Sequence, residues 1–179
     1  MKNLLFFTNA QNILSEMAAG GASEYTEREL LELSKVSRPG VNLGLRELMA
    51  SGIVSRARKG GSYFYTLAHR DPAVRQLKVL LTVTRLKEVI EKLKGVSEKV
   101  ILFGSASRGE NAAGSDIDIF VVTNEPSESE NILAGSGLRI QGITGSPAKY
   151  YMLGKKQPDF SKELERGIIL WERTEQPKS

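Results

Sequence analysis

The sequence predicts an α/β protein of two domains: a helical N-terminal domain that ends in a β-hairpin, and a C-terminal domain with a small mixed sheet flanked by helices. Two observations lead to this fold class. Helical apolar spacing dominates the first part of the chain and gives way to two β-prone runs around Gly60-Gly61. From Lys99 onward, short apolar runs of strand type alternate with helical segments. The expected boundaries are 1–70 for the first domain, 71–97 for a linking helix, 98–173 for the second domain and 174–179 for a flexible tail.

Composition limits the chemistry available to the chain. Of its 179 residues, 40% are hydrophobic and 26% are charged, which suffices for packed cores. Cysteine is absent, which excludes disulfides and thiolate metal sites, and His69 is the only histidine. No apolar segment is long enough to span a bilayer, and the apolar start ends at Thr8 without a signal-peptide cleavage site. We therefore expect a cytoplasmic protein with no membrane partner, whose net charge of +4 permits nucleic-acid binding without requiring it.

The N-terminal domain should contain three helices. Apolar spacing predicts the first over residues 4–17. Thr26 followed by Glu29 forms a capping-box pattern, in which each side chain satisfies the backbone N–H of the other residue, so the second helix should begin there. Ser37 is typical of an N-cap and Pro39 of a first helical turn, so a third helix should follow.

A β-hairpin should come after these helices, because two β-prone runs at 53–58 and 63–67 flank Gly60-Gly61. Three helices followed by a basic hairpin resemble the winged helix-turn-helix domain over residues 1–70, in particular that of ArsR-like regulators. The resemblance implies DNA as a partner, with the third helix in the major groove and the hairpin along the backbone.

The polar side chains on these two elements suit contacts with DNA. The third helix carries a stripe with four-residue spacing, formed by Arg38, Asn42 and Arg46. Arginine and asparagine can read guanine and adenine edges through paired hydrogen bonds. The hairpin carries basic side chains that suit phosphates, namely Arg56, Arg58 and Lys59. The alternative interpretation is a solvated charged surface, or a domain that contacts another protein.

The stretch from Val74 to Lys94 has helical apolar spacing, and its apolar residues cover more than one narrow stripe. Three interpretations fit this pattern. The helix packs on both domains, it forms a homodimer as in ArsR-like regulators, or it packs only on the C-terminal sheet.

The C-terminal domain is organised around one motif on two strands. Val100–Phe103 is a short apolar run that should form a buried strand, which Gly104 and Ser105 end. A second strand should carry Asp116 and Asp118, and their spacing of two places both carboxylates on one face.

The chemistry of that face follows from the residue types. Two carboxylates one pleat apart can share a hard divalent cation such as Mg²⁺, which prefers oxygen ligands. A Gly-Ser turn beside them offers N–H groups and a hydroxyl to phosphate oxygens. The combination is typical of nucleotidyl transfer, in which the protein positions groups and neutralises charge. The alternative is a hairpin with aspartates in a surface turn.

The motif resembles the signature of the DNA polymerase beta-like nucleotidyltransferase superfamily, most closely that of its minimal, MNT-type members. Their pattern, G-S-x-A-R-G-x(5)-S-D-I-D, stands here as residues 104–118, with Ser107 in place of the usual alanine. The resemblance implies nucleotide contacts from Gly104, Ser105, Arg108 and Ser115. It also implies that Asp116 and Asp118 are catalytic and hold Mg²⁺ or Mn²⁺, with a nucleoside triphosphate (NTP) as substrate or ligand.

Members of this superfamily usually have a third carboxylate on a later strand, as the base that activates the attacking hydroxyl. Here the corresponding strand, 138–144, contains no Asp or Glu, and Gln141 is the residue that could occupy the position. An amide is not a base at neutral pH and binds a cation more weakly than a carboxylate does. The acidic stretch 123–130 could be a flexible loop at the mouth of the site. The nearby carboxylates have no spacing that places them in the site; they are Glu128, Glu130 and Asp159.

Two functional hypotheses follow. The first is an enzyme that transfers a nucleoside monophosphate from an NTP to a hydroxyl of a protein or nucleic acid. MNT-type relatives often act as antitoxins that modify a HEPN-type toxin, so such a toxin is a candidate partner. The second is a DNA-binding, antitoxin-like regulator whose transferase fold is weakly active or inactive and senses a nucleotide or binds a partner. An acidic side chain that reaches Asp116 and Asp118 in space would favour the enzyme, and Gln141 alone would favour the regulator.

Overall fold

The computed structural model describes residues 8–20, 22–112 and 114–174. The predicted start of the first helix at 4–7 and most of the predicted tail, 175–179, lie outside the described residues. The described residues divide into two compact units, the first within 1–82 and 109–114 and the second within 83–108 and 115–179.

The first unit combines helices with a small antiparallel sheet. The helices are α1 (Asn9–Gly20), α2 (Glu27–Ser34), α3 (Arg38–Ala50) and the N-terminal half of α4 (Pro72–Leu93). The strands β1 (Tyr25–Thr26), β2 (Val54–Lys59) and β3 (Ser62–Leu67) lie in the order β1-β3-β2. The core contains fully buried side chains from these elements, including Ile13, Leu30, Val41, Leu45, Leu67 and Val74.

Local sequence signals explain where these elements begin and turn. In the capping box, Thr26 Oγ1 accepts a hydrogen bond from the Glu29 N–H at 3.3 Å, and the Glu29 carboxylate accepts one from the Thr26 N–H at 2.7 Å. Ser37 caps α3, since its Oγ accepts from the N–H of Gly40 at 3.4 Å. The hairpin turns at Gly60-Gly61, whose φ angles of 53° and 86° are readily adopted by glycine. The predicted capping box, N-cap and hairpin are therefore confirmed.

The second unit is built on the predicted small mixed sheet. Its strands are β4 (Lys99–Phe103), β5 (Ile117–Val122), β6 (Ile140–Gly145) and β7 (Ile168–Glu172), in the order β6-β5-β4-β7. The β5–β6 pair is parallel, whereas β4 runs antiparallel to both β5 and β7. The helices are α5 (Gly104–Ser107), α6 (Pro126–Ala134), α7 (Pro147–Lys156), α8 (Pro158–Glu165) and the C-terminal half of α4.

Both faces of this sheet are covered. Ile119 and Val121 of β5 point to one face, where they join a core with the C-terminal half of α4 and with α6. Phe120 points to the other face and packs against Phe160 of α8, with ring centroids 5.8 Å apart. Asp118 has the same parity as Phe120 along β5, so it lies on the α8 side of the sheet.

The structure corrects one prediction in this unit. The acidic stretch 123–130 is not a loop, because helix α6 begins within it at Pro126. Proline at the first helical position and Glu128 in the first turn are both signals for a helix start, which the polar composition obscured. No helix among the described residues has the length and apolar character needed to cross a membrane.

Candidate active site

The candidate active site lies where β4 ends and β5 begins. Phe103, the last residue of β4, pairs with Asp118 of β5 in antiparallel register. Asp116 directly precedes β5, and its side chain is half-exposed. The two carboxylates therefore share one face, as the spacing of two predicts, although only Asp118 is inside the strand.

Gly104 fits closely against the carboxylate of Asp118. Its φ is +67°, and a Cβ built at this position would lie 2.1 Å from Oδ2 of Asp118. Any other residue would therefore be strained and would also displace the carboxylate. The Oγ of Ser107 donates a hydrogen bond to the Gly104 carbonyl at 2.8 Å, which holds the turn in place.

The remaining signature residues lie on the same turn or beside it. Ser105 is half-buried in α5, and its carbonyl accepts a hydrogen bond from the Arg108 N–H at 3.2 Å. The exposed guanidinium of Arg108 lies near enough to Asp118 to favour the ionised carboxylate. Ser115 is half-buried and directly precedes Asp116. The structure thus brings Gly104, Arg108 and the two aspartates together.

Gln141 is found beside the aspartates. The parallel register of β5 and β6 pairs Asp118 with Gln141, so both side chains point to the same face of the sheet. Gln141 is exposed, and its amide carbonyl could donate an oxygen to a cation. This is the position in which the resemblance to the superfamily implies a third carboxylate.

The negative charge at Asp118 is unusually concentrated. Burial raises the pKa of the Asp118 carboxyl, and the nearby carboxylates of Glu163 and Asp116 raise it further. The guanidinium of Arg108 partly offsets this increase in pKa. A cation bound here would relieve the repulsion that Glu163 and Asp116 exert on Asp118.

Glu163 is the acidic residue that sequence reasoning missed. It belongs to α8, whose Phe160 and Leu164 pack on the sheet face that carries Asp118. Residues at i, i+3 and i+4 share one side of a helix, so Glu163 lies on the packed side of α8 with these two side chains. The helical spacing is visible in the sequence and groups Glu163 with two packed side chains. Only the packing of α8 on the sheet shows that this side of the helix faces Asp118.

A further missed residue is Arg139, which directly precedes β6. Its Nε lies 3.2 Å from Oδ1 of Asp116, and the two side chains are 71% and 49% exposed. A pair so exposed contributes little to stability, because water and salt screen it. Arg139 therefore leaves Asp116 available to another cationic partner.

The donor set fits a divalent cation that also binds phosphates. Among the described residues, no group of three acidic or histidine side chains is arranged to hold a metal alone. Asp116 and Asp118 instead offer two carboxylates, with the amide oxygen of Gln141 in register. Mg²⁺ usually takes one or two protein carboxylates and completes its shell with water and substrate phosphates.

The candidate DNA contacts lie in the first unit, and most have protein partners. Arg38, Asn42 and Arg46 are exposed on α3. The carboxylate of Glu27 accepts a hydrogen bond from Nδ2 of Asn42 at 3.3 Å and lies 3.9 Å from Nε of Arg38.

On the hairpin, the guanidinium of Arg56 lies 4.3 Å from the ring centroid of Tyr63, and Lys59 forms an ion pair with Glu24. Arg58 is exposed on the same strand as Arg56. A polyanion would have to compete with Glu24 and Glu27 for these cations.

Comparison with known proteins identifies the second unit. A solved structure of a candidate nucleotidyltransferase from Sulfolobus solfataricus is 18% identical, with a TM-score of 0.39 over 55% of this chain and 87% of that chain. No curated protein matches the sequence. The sequence model of the nucleotidyltransferase domain family matches residues 83–175, which is more than half of the chain and includes the whole site described above. The chain belongs to the nucleotidyltransferase domain family.

Proposed function

We propose that the protein is a metal-dependent nucleotidyltransferase that transfers a nucleoside monophosphate from an NTP to a hydroxyl of a protein or nucleic acid. One observation supports this most directly: Asp118 is seated against Gly104 at the family motif, where burial and the charges of Glu163 and Asp116 raise the pKa of its carboxyl. A fold that served only as a scaffold would have no need to keep a carboxylate at a site that disfavours its charge.

Each residue of the motif has a role in this proposal. Asp116 and Asp118 would hold Mg²⁺ or Mn²⁺, and such an ion would neutralise charge on the triphosphate and polarise the α-phosphorus. The turn at Gly104 and Ser105 contacts phosphate oxygens, with Ser115 and the cationic Arg108 completing the cradle. These groups hold the α-phosphorus in line with the incoming hydroxyl.

The transfer also needs a base. The acceptor oxygen forms a bond to the α-phosphorus as the bond to pyrophosphate breaks, and the hydroxyl proton must leave. We propose that Glu163 is the base that accepts this proton, because its carboxylate lies close enough to raise the pKa of Asp118. Glu163 would then supply from α8 the function that Gln141 cannot supply from β6.

The test is transfer of an α-phosphate radiolabel from each of the common NTPs, with Mg²⁺ or Mn²⁺ present. Acceptors are the protein itself, tRNA, proteins from a lysate and, among defined proteins, a HEPN-type toxin. The negative control is a variant in which Asp116 and Asp118 are both replaced by asparagine. Label transfer by the wild type that is absent in this variant supports the proposed transferase activity. Nucleotide binding without any transfer would instead support a regulator that senses nucleotide.

The assignment of Glu163 gives a separate prediction. Glu163→Gln should lower the transfer rate about 10²–10⁴-fold at neutral pH, the usual contribution of a general base, while leaving the KM for NTP nearly unchanged. The matched control is Glu165→Gln, two residues along the same helix and exposed. If both variants retain the wild-type rate, Glu163 is not the base.

We also propose a second function, DNA binding by residues 1–70, with 71–97 as a linking helix and 98–173 as the transferase domain. The order of elements in the first unit supports it: a helix, a short strand, two helices and a hairpin. The exposed polar stripe on α3 and the basic hairpin strand β2 add to this support. Such a protein would couple a transferase to a site on DNA.

Substitutions on the two elements should affect DNA binding differently. Arg46→Ala should cost about 1–3 kcal/mol for the preferred site, because it removes a base contact. Arg58→Ala should weaken binding to all sequences and reduce the slope of log K against log salt by about one. The measurement is fluorescence anisotropy with a duplex obtained by selection, at several salt concentrations.

The control for this pair is Arg85→Ala on the C-terminal half of α4, where Arg85 is exposed and belongs to the second unit. It removes the same charge from a residue that is not part of the proposed surface. Equal losses from Arg85→Ala and Arg46→Ala would mean that only net charge attracts DNA.

A further inference from the structure

The first unit contains a cavity of about 380 Å³ that shares no residue with the candidate active site. Its walls are the turn at His69 and Arg70, the first turns of α4, Ser23 and the segment 109–112. We call it the basic cavity, because Arg70, Arg75 and Lys78 line it.

The positive charge of this cavity is only partly balanced. Lys78 is 3% exposed, and its ammonium donates a hydrogen bond to the backbone carbonyl of Asn111. No carboxylate among the described residues forms an ion pair with Lys78. Glu110 is the acidic residue of the lining, and it pairs with Arg75 at 3.2 Å. Burial and the charge of Arg75 both lower the pKa of Lys78, as expected for a cation without an anionic partner.

Two buried polar atoms in the lining have no hydrogen-bond partner within the part of the chain that the structure describes. They are Nε of Arg75, a donor, and Oδ1 of Asn111, an acceptor. Buried polar atoms without partners cost free energy, more so when they are charged. A ligand that offers an acceptor to Arg75 and a donor to Asn111 would satisfy both atoms.

The wall formed by 109–112 is held firmly against α4. Gly109 has a φ of +67°, and a Cβ built there would lie 2.1 Å from the carbonyl oxygen of Arg75. Together with the hydrogen bond from Lys78 to Asn111, this close approach fixes the shape of the cavity. Pre-formed cavities of this size are typical of small-molecule sites.

We propose that the basic cavity binds a small phosphate ester, with Arg75 and Lys78 on the phosphate and Asn111 accepting a hydrogen bond from a ligand hydroxyl. Arginine and lysine are the usual partners of phosphate, and Ser23 adds a hydroxyl. Lys78 is too deeply buried to reach the backbone of a duplex, which favours a small ligand over DNA. In the chain, the wall 109–112 directly follows Arg108, so the ligand would fix the segment next to one proposed nucleotide contact.

The test uses the full-length protein with Asp116→Asn and Asp118→Asn and without divalent metal, which removes the proposed metal ligands from the measurement. Calorimetric titrations with ribose 5-phosphate, AMP and inorganic phosphate are compared with sodium sulfate at equal ionic strength. Lys78→Met and, at the rim, Arg70→Ala are added to this background. Lys87→Met is the matched control, since Lys87 is exposed on the same helix.

We expect one-to-one binding of at least one ester, more tightly than sulfate. Lys78→Met should weaken it at least about tenfold, since a charge-assisted hydrogen bond is lost, and Lys87→Met should leave it unchanged. Arg70→Ala should weaken binding severalfold without disturbing the fold, as circular dichroism can verify.

Several results would overturn the proposal. These are no ester binding, equal affinities in the Lys78 and Lys87 variants, or sulfate and inorganic phosphate binding as well as the esters, which would mean an adventitious ion only. Loss of DNA affinity in Lys78→Met, with no ester bound, would assign the cavity to the nucleic acid instead.

Discussion

Asp118→Asn should slow nucleotide transfer by at least about 10³-fold, because it removes a proposed metal ligand, and a bound ion would supply several kcal/mol of charge stabilisation. Asparagine has nearly the same shape as aspartate, so the contact with Gly104 is retained. The lost charge, and not a lost fold, should account for the slower rate.

The same substitution should stabilise the folded protein at neutral pH. The pKa of Asp118 is raised in the folded state, first by burial and then by Glu163 and Asp116. The carboxyl therefore favours folding below its ordinary pKa of 3.8, and this contribution is lost as the pH rises through the higher folded pKa. Asparagine never ionises, so the free energy of unfolding of the variant should exceed that of the wild type increasingly toward neutral pH. The difference should stay below about 1 kcal/mol, because the site is partly solvated.

Urea unfolding at about pH 5 and about pH 8, without divalent metal, measures this pH dependence. Mg²⁺ at a hundred times its Kd should stabilise the wild type by about 2.7 kcal/mol and the Asp118→Asn variant far less. Asp116→Asn is the control: it should lose activity but gain less stability, because the Asp116 side chain is half-exposed and paired with Arg139. A less stable Asp118→Asn at about pH 8 would contradict the crowding of charge described here.

The parts of the site that the sequence predicts are those determined by local geometry. The period of two along a strand is enough to place Asp116 and Asp118 on one face, and an apolar run ending at Gly104 is enough to place the turn. The placement of Gln141 beside Asp118 was also predicted correctly. The third-carboxylate position lies on the strand after the motif, and that strand reaches the aspartates because it pairs with β5.

Glu163 could not be predicted in the same way, since its role depends on where α8 crosses the sheet. That crossing is set by the packing of Phe160 and Leu164 against side chains far away in sequence. Helix α6 was missed for a different reason. Its acidic, polar start has the composition of a loop, and the helix is held by Leu133 packing on the sheet. In both cases tertiary contacts decide what the local pattern leaves open.

Gly104→Ala should lower the transfer rate at least about 10²-fold, the usual consequence of moving a reacting group by about 1 Å. The methyl group would lie 2.1 Å from Oδ2 of Asp118, so either the carboxylate or the turn must move. Alanine at a φ of +67° also costs about 1–2 kcal/mol of folding free energy. Activity and stability should therefore both fall.

Gly137→Ala separates these two effects. Gly137 has a φ of +70°, but a Cβ built there meets no atom of the described residues within 4 Å. It should lose a similar amount of stability by urea unfolding while keeping the wild-type transfer rate. Combining Gly104→Ala with Asp118→Asn should reduce the rate little further than Asp118→Asn alone, because both substitutions disable the same carboxylate. If Gly104→Ala and Gly137→Ala are equally active, the close approach at Gly104 serves the fold and not the chemistry.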